Sequence, residues 1–108
     1  MNKNGMLPDN TFENKVILIT GGATGLGRSI GEYLLKLGGK IIITSRRETV
    51  INSVSEELNK EYNNKVFGIS GDVRNNVDVE NVISKGIEHF GKIDMLINYF
   101  ACIFFSPT

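Results

Sequence analysis

Several absences narrow the field before any motif is read. The 108 residues hold one cysteine, Cys102, so no internal disulfide can form. Twelve basic residues balance twelve acidic ones. A chain without net charge has no general field of cations to displace the counterions of a nucleic acid, so nucleic acid is not expected as its partner. No apolar run approaches the ~20 residues that span a bilayer, and no membrane is expected either. The opening residues, among them Asn2, Lys3, Asn4, Pro8, Asp9 and Asn10, show neither the apolar core of a signal peptide nor an arginine-rich amphipathic pattern. Ser106-Pro107-Thr108 is no peroxisomal address. The expectation is a soluble intracellular protein, its organelle open, with residues 1–14 as a flexible lead-in to one domain over 15–108. No metal site is assigned.

What is present centres on residues 16–37, V-I-L-I-T-G-G-A-T-G-L-G-R-S-I-G-E-Y-L-L-K-L. Five mostly β-branched or apolar residues read as a buried strand. Glycines follow at 21, 22, 25 and 27, and then Ile30, Leu34 and Leu37 recur at the spacing of one helical face. A strand that turns through glycines into a helix aims free backbone N–H groups and the positive end of the helix dipole at one small volume. A phosphate suits that volume, because a Cβ would keep the backbone from approaching it. Thr20 and Thr24 can add hydroxyl contacts. No Gly-Lys-Ser or Gly-Lys-Thr follows, which excludes a nucleoside-triphosphate loop. A plain strand-to-helix turn is the alternative reading.

The rest of the chain repeats the alternation. Residues 41–45 read as a second strand after a Gly38-Gly39 helix stop, and 49–62 as a helix with Val50, Val54, Leu58 and Tyr62 one repeat apart. Residues 65–70 read as a third strand. Asn75 or Asn76 caps a third helix whose buried side is Val79, Val82, Ile83, Gly86, Ile87 and Phe90, and Gly91 stops it. A fourth strand covers 95–97. Strands alternating with helices of this length make βαβ units, and right-handed crossovers then impose a parallel sheet. The expected fold class is α/β: half of a doubly wound sheet, four strands in the order 3-2-1-4 with three helices, its ligand crevice beyond the strand ends near residues 21–27.

In dinucleotide sites a carboxylate about twenty residues past the glycines holds the adenine ribose hydroxyls. Here that place is held by Ser45-Arg46-Arg47. Two guanidinium groups and a hydroxyl suit a 2′-phosphate and leave the bare hydroxyls of NAD without their acceptor, so NADP(H) is the expected cofactor. Two solvated surface arginines are the bland alternative. His89 reads as a helix-surface residue near a C-terminus.

The glycine spacing Thr20-Gly21-x-x-x-Gly25-x-Gly27 resembles the short-chain dehydrogenase/reductase family. Leu7-Pro8, Gly71-Asp72-Val73-Arg74, Phe90-Gly91-Lys92-Ile93-Asp94-Met95-Leu96-Ile97-Asn98 and Phe104-Phe105-Ser106-Pro107 are similar to its 2,4-dienoyl-CoA reductase branch. The resemblance implies cofactor contacts from Gly21, Gly22, Thr24, Gly25, Leu26, Gly27, Ser45, Arg46, Arg47, Asp72, Val73 and Asn98. It implies that Asp72 accepts from the adenine amino group. It further implies that Arg46, Arg74 and Phe104 meet a fatty acyl-CoA, and that hydride passes from NADPH to that acyl group.

Two departures qualify what the resemblance implies. Tyr99-Phe100-Ala101-Cys102-Ile103 stands where the family has small residues and a glycine, and no base is placed beside Cys102 by sequence. The Tyr-x-x-x-Lys pair with which the family moves a proton is absent: Tyr33, Tyr62 and Tyr99 are followed four residues later by Leu37, Val66 and Ile103. No catalytic residue is therefore assigned. The region through which the family forms homo-oligomers is also missing. Three readings stand: the amino-terminal half of an NADPH-dependent reductase, a non-catalytic nucleotide-binding module, or an inactive remnant with an exposed apolar tail at 100–105.

Overall fold

The computed structural model describes residues 10–21, 25–98 and the backbone of 101–104. Four strands, β1 (Val16–Thr20), β2 (Lys40–Ser45), β3 (Val66–Ser70) and β4 (Met95–Asn98), alternate with helices α1 (Gly25–Lys36), α2 (Glu48–Tyr62) and α3 (Asn76–Phe90). A further strand, β5 (Ala101–Phe104), follows, and the sheet order is β3-β2-β1-β4-β5. The first four strands pair in parallel, as their alternation with helices requires. This is the expected half of a doubly wound sheet. The expectation of four strands alone is corrected by β5, which pairs antiparallel to β4 with Asn98 opposite Ala101. Only two residues separate these partners, and the uncharged Ala-Cys-Ile-Phe run has the β propensity to return alongside β4.

Successive residues of a strand face opposite ways, so β1 and β2 feed two separate cores. Toward α1 and α2 lie Ile17, Ile19, Ile41, Ile43, Leu34, Leu35, Ile51, Val54, Leu58 and Val66, all buried. Toward α3 lie Val16, Leu18, Ile42 and Val82, rimmed by half-buried Phe67, Ile69, Ile83, Phe90, Ile93 and Leu96. Within α2 the strip that faces the sheet is Ile51-Val54-Leu58, and Val50 is only half buried at its margin. Within α3 the expected burial of Ile87 is corrected, since it is 43% exposed. The reason is Gly86: a Cβ there would stand 2.5 Å from Ile42 Cδ1, so α3 turns this residue close against the side chains of β2. Ile87, one step around the helix, is turned away.

Helix and strand ends follow local chemistry. Asn75 caps α3, its side chain accepting from the amides of Val77 and Asp78. Gly38 (φ 93°), Asn63 (φ 55°) and Gly91 (φ 90°) close the three helices in left-handed conformations. Residues 10–14, expected within a flexible lead-in, form a turn in which the Phe12 amide donates to Leu37 O at 3.0 Å and the Phe12 ring packs on the α1/α2 core. The Asp94 carboxylate accepts from the first amide of β1, Val16, at 2.8 Å and pairs with Lys92 at 3.1 Å. At the outer edge of the sheet, Asn59 of α2 grips Val66 of β3 twice: its Nδ2 donates to the carbonyl and its Oδ1 accepts from the amide, both at 2.8 Å. Arg28 of α1 pairs with Glu57 of α2 and, at 3.5 Å, with Glu32, which ties the two helices together above the sheet.

Candidate functional site

Parallel strands bring their carboxyl ends to one side of the sheet, and the loops there form two adjoining cavities. One, of about 370 Å³, is lined by Gly21, Thr44, Ser45, Arg46, Gly71, Asp72, Val73 and Arg74. The other, of about 290 Å³, runs along α3 over an apolar floor that includes Leu18, Val82, Ile83 and Leu96, with Thr20 and Asn98 at its upper end. Thr44, Gly71, Asp72 and Val73 line both, so the two make one cleft with a charged end and an apolar end.

Gly21, the first glycine after β1, lines the charged end of this cleft. Gly21 has φ +73° and its amide donates to Thr44 O at 3.1 Å, so it continues the sheet rather than offering its N–H outward. Gly25 opens α1 at φ +59°, a conformation that other L residues adopt at a cost, and a Cβ built there would meet nothing within 4 Å. Leu26 is exposed and Gly27 is buried. Gly22 and Thr24 lie outside the described residues. The first turn of α1 carries no acidic side chain, which leaves the dipole at that end uncompensated.

The end of β2 supplies the cations. Arg46 is exposed and lines the larger cavity. The Ser45 hydroxyl accepts from the Arg47 amide at 3.2 Å, and Arg47 stands before α2 in extended conformation with no side-chain cap, outside the lining of either cavity. No carboxylate stands at this strand end.

At the end of β3, Asp72 is held on every side. Arg74 clasps its carboxylate with both arms of the guanidinium, Nε to Oδ1 and Nη2 to Oδ2 at 3.1 Å each, and the Arg74 amide donates to Oδ1 at 2.9 Å. The Asp72 amide in turn donates to the Asp78 carboxylate at 2.9 Å. These bonds from Arg74, side chain first and amide second, hold the Asp72 carboxyl below the usual carboxylate range. The Arg74 guanidinium is raised by the same contact.

Thr44 and Asp78 were not singled out by sequence, although both belong to the cleft. Thr44 is 1% exposed, and its hydroxyl, like that of Thr20 beside it in register, has no hydrogen-bond partner among the described residues. Two buried hydroxyls without a partner among the described residues and the exposed Arg46, all lining one cleft, fit a polar, phosphate-bearing ligand. The side chains of Cys102 and Phe104 lie outside the described residues, as do Leu7, Pro8, Tyr99 and Phe100. Among the described residues no group of three His, Cys, Asp or Glu could hold a metal, and no helix is long and apolar enough to cross a membrane.

Comparison with known proteins adds an independent finding. The family model described as short chain dehydrogenase matches residues 15–103. The chain is 39% identical over 93 residues to xanthoxin dehydrogenase of Arabidopsis thaliana, covering 85% of this chain and 33% of that protein. It is 36% identical over 91 residues to the peroxisomal 2,4-dienoyl-CoA reductase of the same plant, covering 84% of this chain and 30% of that one. It thus spans about a third of the length of the curated relatives it matches. Among solved structures, L-sorbose reductase from Gluconobacter frateurii, complexed with NADPH and L-sorbose, superposes with a TM-score of 0.76 at 27% identity, over 82% of this chain and 34% of that one. A short-chain dehydrogenase/reductase from Burkholderia phymatum in complex with NAD superposes with a TM-score of 0.73 at 30% identity, over 79% and 30%.

Proposed function

Because this chain belongs to the short-chain dehydrogenase family and corresponds to its nucleotide-binding region, we propose that residues 15–108 bind a nicotinamide dinucleotide, NADP(H) in preference to NAD(H). Residues 1–14 are the lead-in to that unit. The observation that carries the preference is the β2 end: Arg46 lines the larger cavity, Arg47 follows it, and residues 45–47 include no carboxylate to accept from a bare ribose. In this reading Gly21, Gly22, Thr24, Gly25, Leu26 and Gly27 surround the diphosphate. Ser45, Arg46 and Arg47 take the 2′-phosphate, Asp72 and Val73 the adenine, and Asn98 lies toward the nicotinamide side. When bound, such a cofactor supplies a hydride.

The substrate side of the proposal rests on the relatives. Similarity to a 2,4-dienoyl-CoA reductase supports a fatty acyl-CoA met by Arg46, Arg74 and Phe104, while similarity to xanthoxin dehydrogenase supports dehydrogenation of a different substrate on the same cofactor fold. No Tyr-x-x-x-Lys occurs in the sequence. A second reading is a module that holds the nucleotide and performs no turnover by itself.

Titration of the purified chain with NADPH and NADH, followed by cofactor fluorescence, tests the proposal. The expected result is saturable binding with NADPH tighter by about tenfold, the scale of one charge-assisted contact, and a smaller gap in Arg46→Ala. No change in fluorescence with either nucleotide at millimolar concentration overturns it.

A further inference from the structure

The clasp between Asp72 and Arg74 is the most completely bonded polar cluster of the cleft, and it joins two residues for which sequence resemblance implies separate ligands. Asp72 borders both cavities, whereas Arg74 borders only the larger. Both oxygens of the Asp72 carboxylate are engaged by one planar guanidinium, and Oδ1 is also fixed by the Arg74 amide. A carboxylate held by a bidentate fork loses its rotation about the terminal bond and keeps its charge, and the one lone pair left, on Oδ2, points in a set direction.

We propose that Arg74 is a positioning residue that sets the base specificity of the site: by locking Asp72 as an oriented, ionised acceptor, it makes the cleft favour a nucleobase that presents an amino group over one that presents a carbonyl. This rests on the nucleotide-binding reading above. An ionised carboxylate accepts and cannot donate, so an exocyclic amine is bonded and an exocyclic oxygen is repelled. Release of the fork lets the carboxylate rotate, so that it no longer presents a lone pair in a set direction to an incoming amine. The low proton affinity of Asp72 beside Arg74 agrees with this role. Lysine carries the charge without the planar fork, so it replaces the arginine in part only. An anionic substrate group that draws Arg74 to itself has to break this clasp first.

The test compares binding of NADPH with that of nicotinamide hypoxanthine dinucleotide phosphate, which differs in bearing a carbonyl where adenine bears its amine. The wild-type chain is expected to favour NADPH by about tenfold, the scale of a hydrogen bond to a charged group. Arg74→Ala is expected to bring the two affinities within about twofold, and Arg74→Lys to fall between. Arg74 is 72% exposed on its side chain, so both variants should keep the wild-type melting transition, which is recorded alongside. A merely structural loss weakens both nucleotides equally and leaves their ratio alone. An unchanged ratio in Arg74→Ala, a wild-type ratio in Arg74→Lys, or equal affinities in the wild type overturns the inference while the nucleotide-binding reading stands. Failure of the wild type to bind either nucleotide overturns that reading, and the inference with it.

Discussion

The two faces of the sheet are built from the same strands yet finished to different degrees. On one, α1, α2 and the sheet share ten buried apolar residues, with six more half buried at the margin, Phe12 among them. On the other, α3 is the one covering helix among the described residues, and four buried residues are surrounded by six that stay half open. Parallel strands need cover on both sides, because each presents apolar side chains alternately up and down. The well-covered face therefore carries the stability. The thinly covered face carries the elongated cavity beside α3, whose floor is core-like and whose rim is polar.

The largest effect that separates the two faces is expected from truncating one side chain on each. Ile19→Ala, on the α1/α2 side and fully buried, should cost about 3–5 kcal/mol in urea unfolding, enough to unfold much of the population. Ile69→Ala, half buried on the α3 side, should cost about 1–2 kcal/mol, because solvent already reaches it. Equal losses would break the comparison. A middle-sized effect is expected at the tightest glycine contact of the thin face: Gly86→Ala should cost about 1–3 kcal/mol through overlap with Ile42 Cδ1. Ile42→Val removes that methyl, so the double variant should lose less than the sum of the two single changes.

The smallest effect is a dependence on pH at the end of the sheet opposite the cleft. Burial tends to raise the Asp94 carboxyl, but the Val16 amide and Lys92 outweigh it and the net shift is downward. A group whose folded pKa lies below its unfolded value contributes stability above the unfolded value, and that contribution fades as pH falls through the folded one. Melting of the wild type should decline on acidification below the ordinary aspartate range, and Asp94→Asn should flatten that decline. An identical acid limb in both proteins would assign the effect elsewhere.

The alternation of strands and helices was legible because its signals are periodic and local. Val16–Thr20 and the apolar rows of the helices state their elements without reference to the rest of the chain. Finer choices escaped. Periodicity chose Val50 over its neighbour Ile51 and placed Ile87 inside, because a helical row two residues wide does not say where its centre meets the sheet. That centre is set by Gly86 and by the register of α2 on β3, which are tertiary facts. The return strand β5 was hidden by reading Tyr99 to Ile103 against a family pattern instead of by its own β propensity. In the cleft, the strand ends bring Gly21, Ser45, Arg46, Asp72, Val73 and Arg74 to one cavity. The pairing of Asp72 with Arg74, and the engagement of Gly21 with Thr44, depend on side-chain rotation and strand continuation that no spacing reveals.

Asn59 has a consequence for how molecules of this chain meet one another. An outermost strand ordinarily offers its free amides and carbonyls to any extended segment that drifts past, which is how sheets grow into fibres. By occupying both backbone groups of Val66 with one carboxamide, α2 behaves there like a stub of an extra strand. Lateral growth is blocked at the start of that border, and the Val66 amide should resist exchange with heavy water despite its peripheral position.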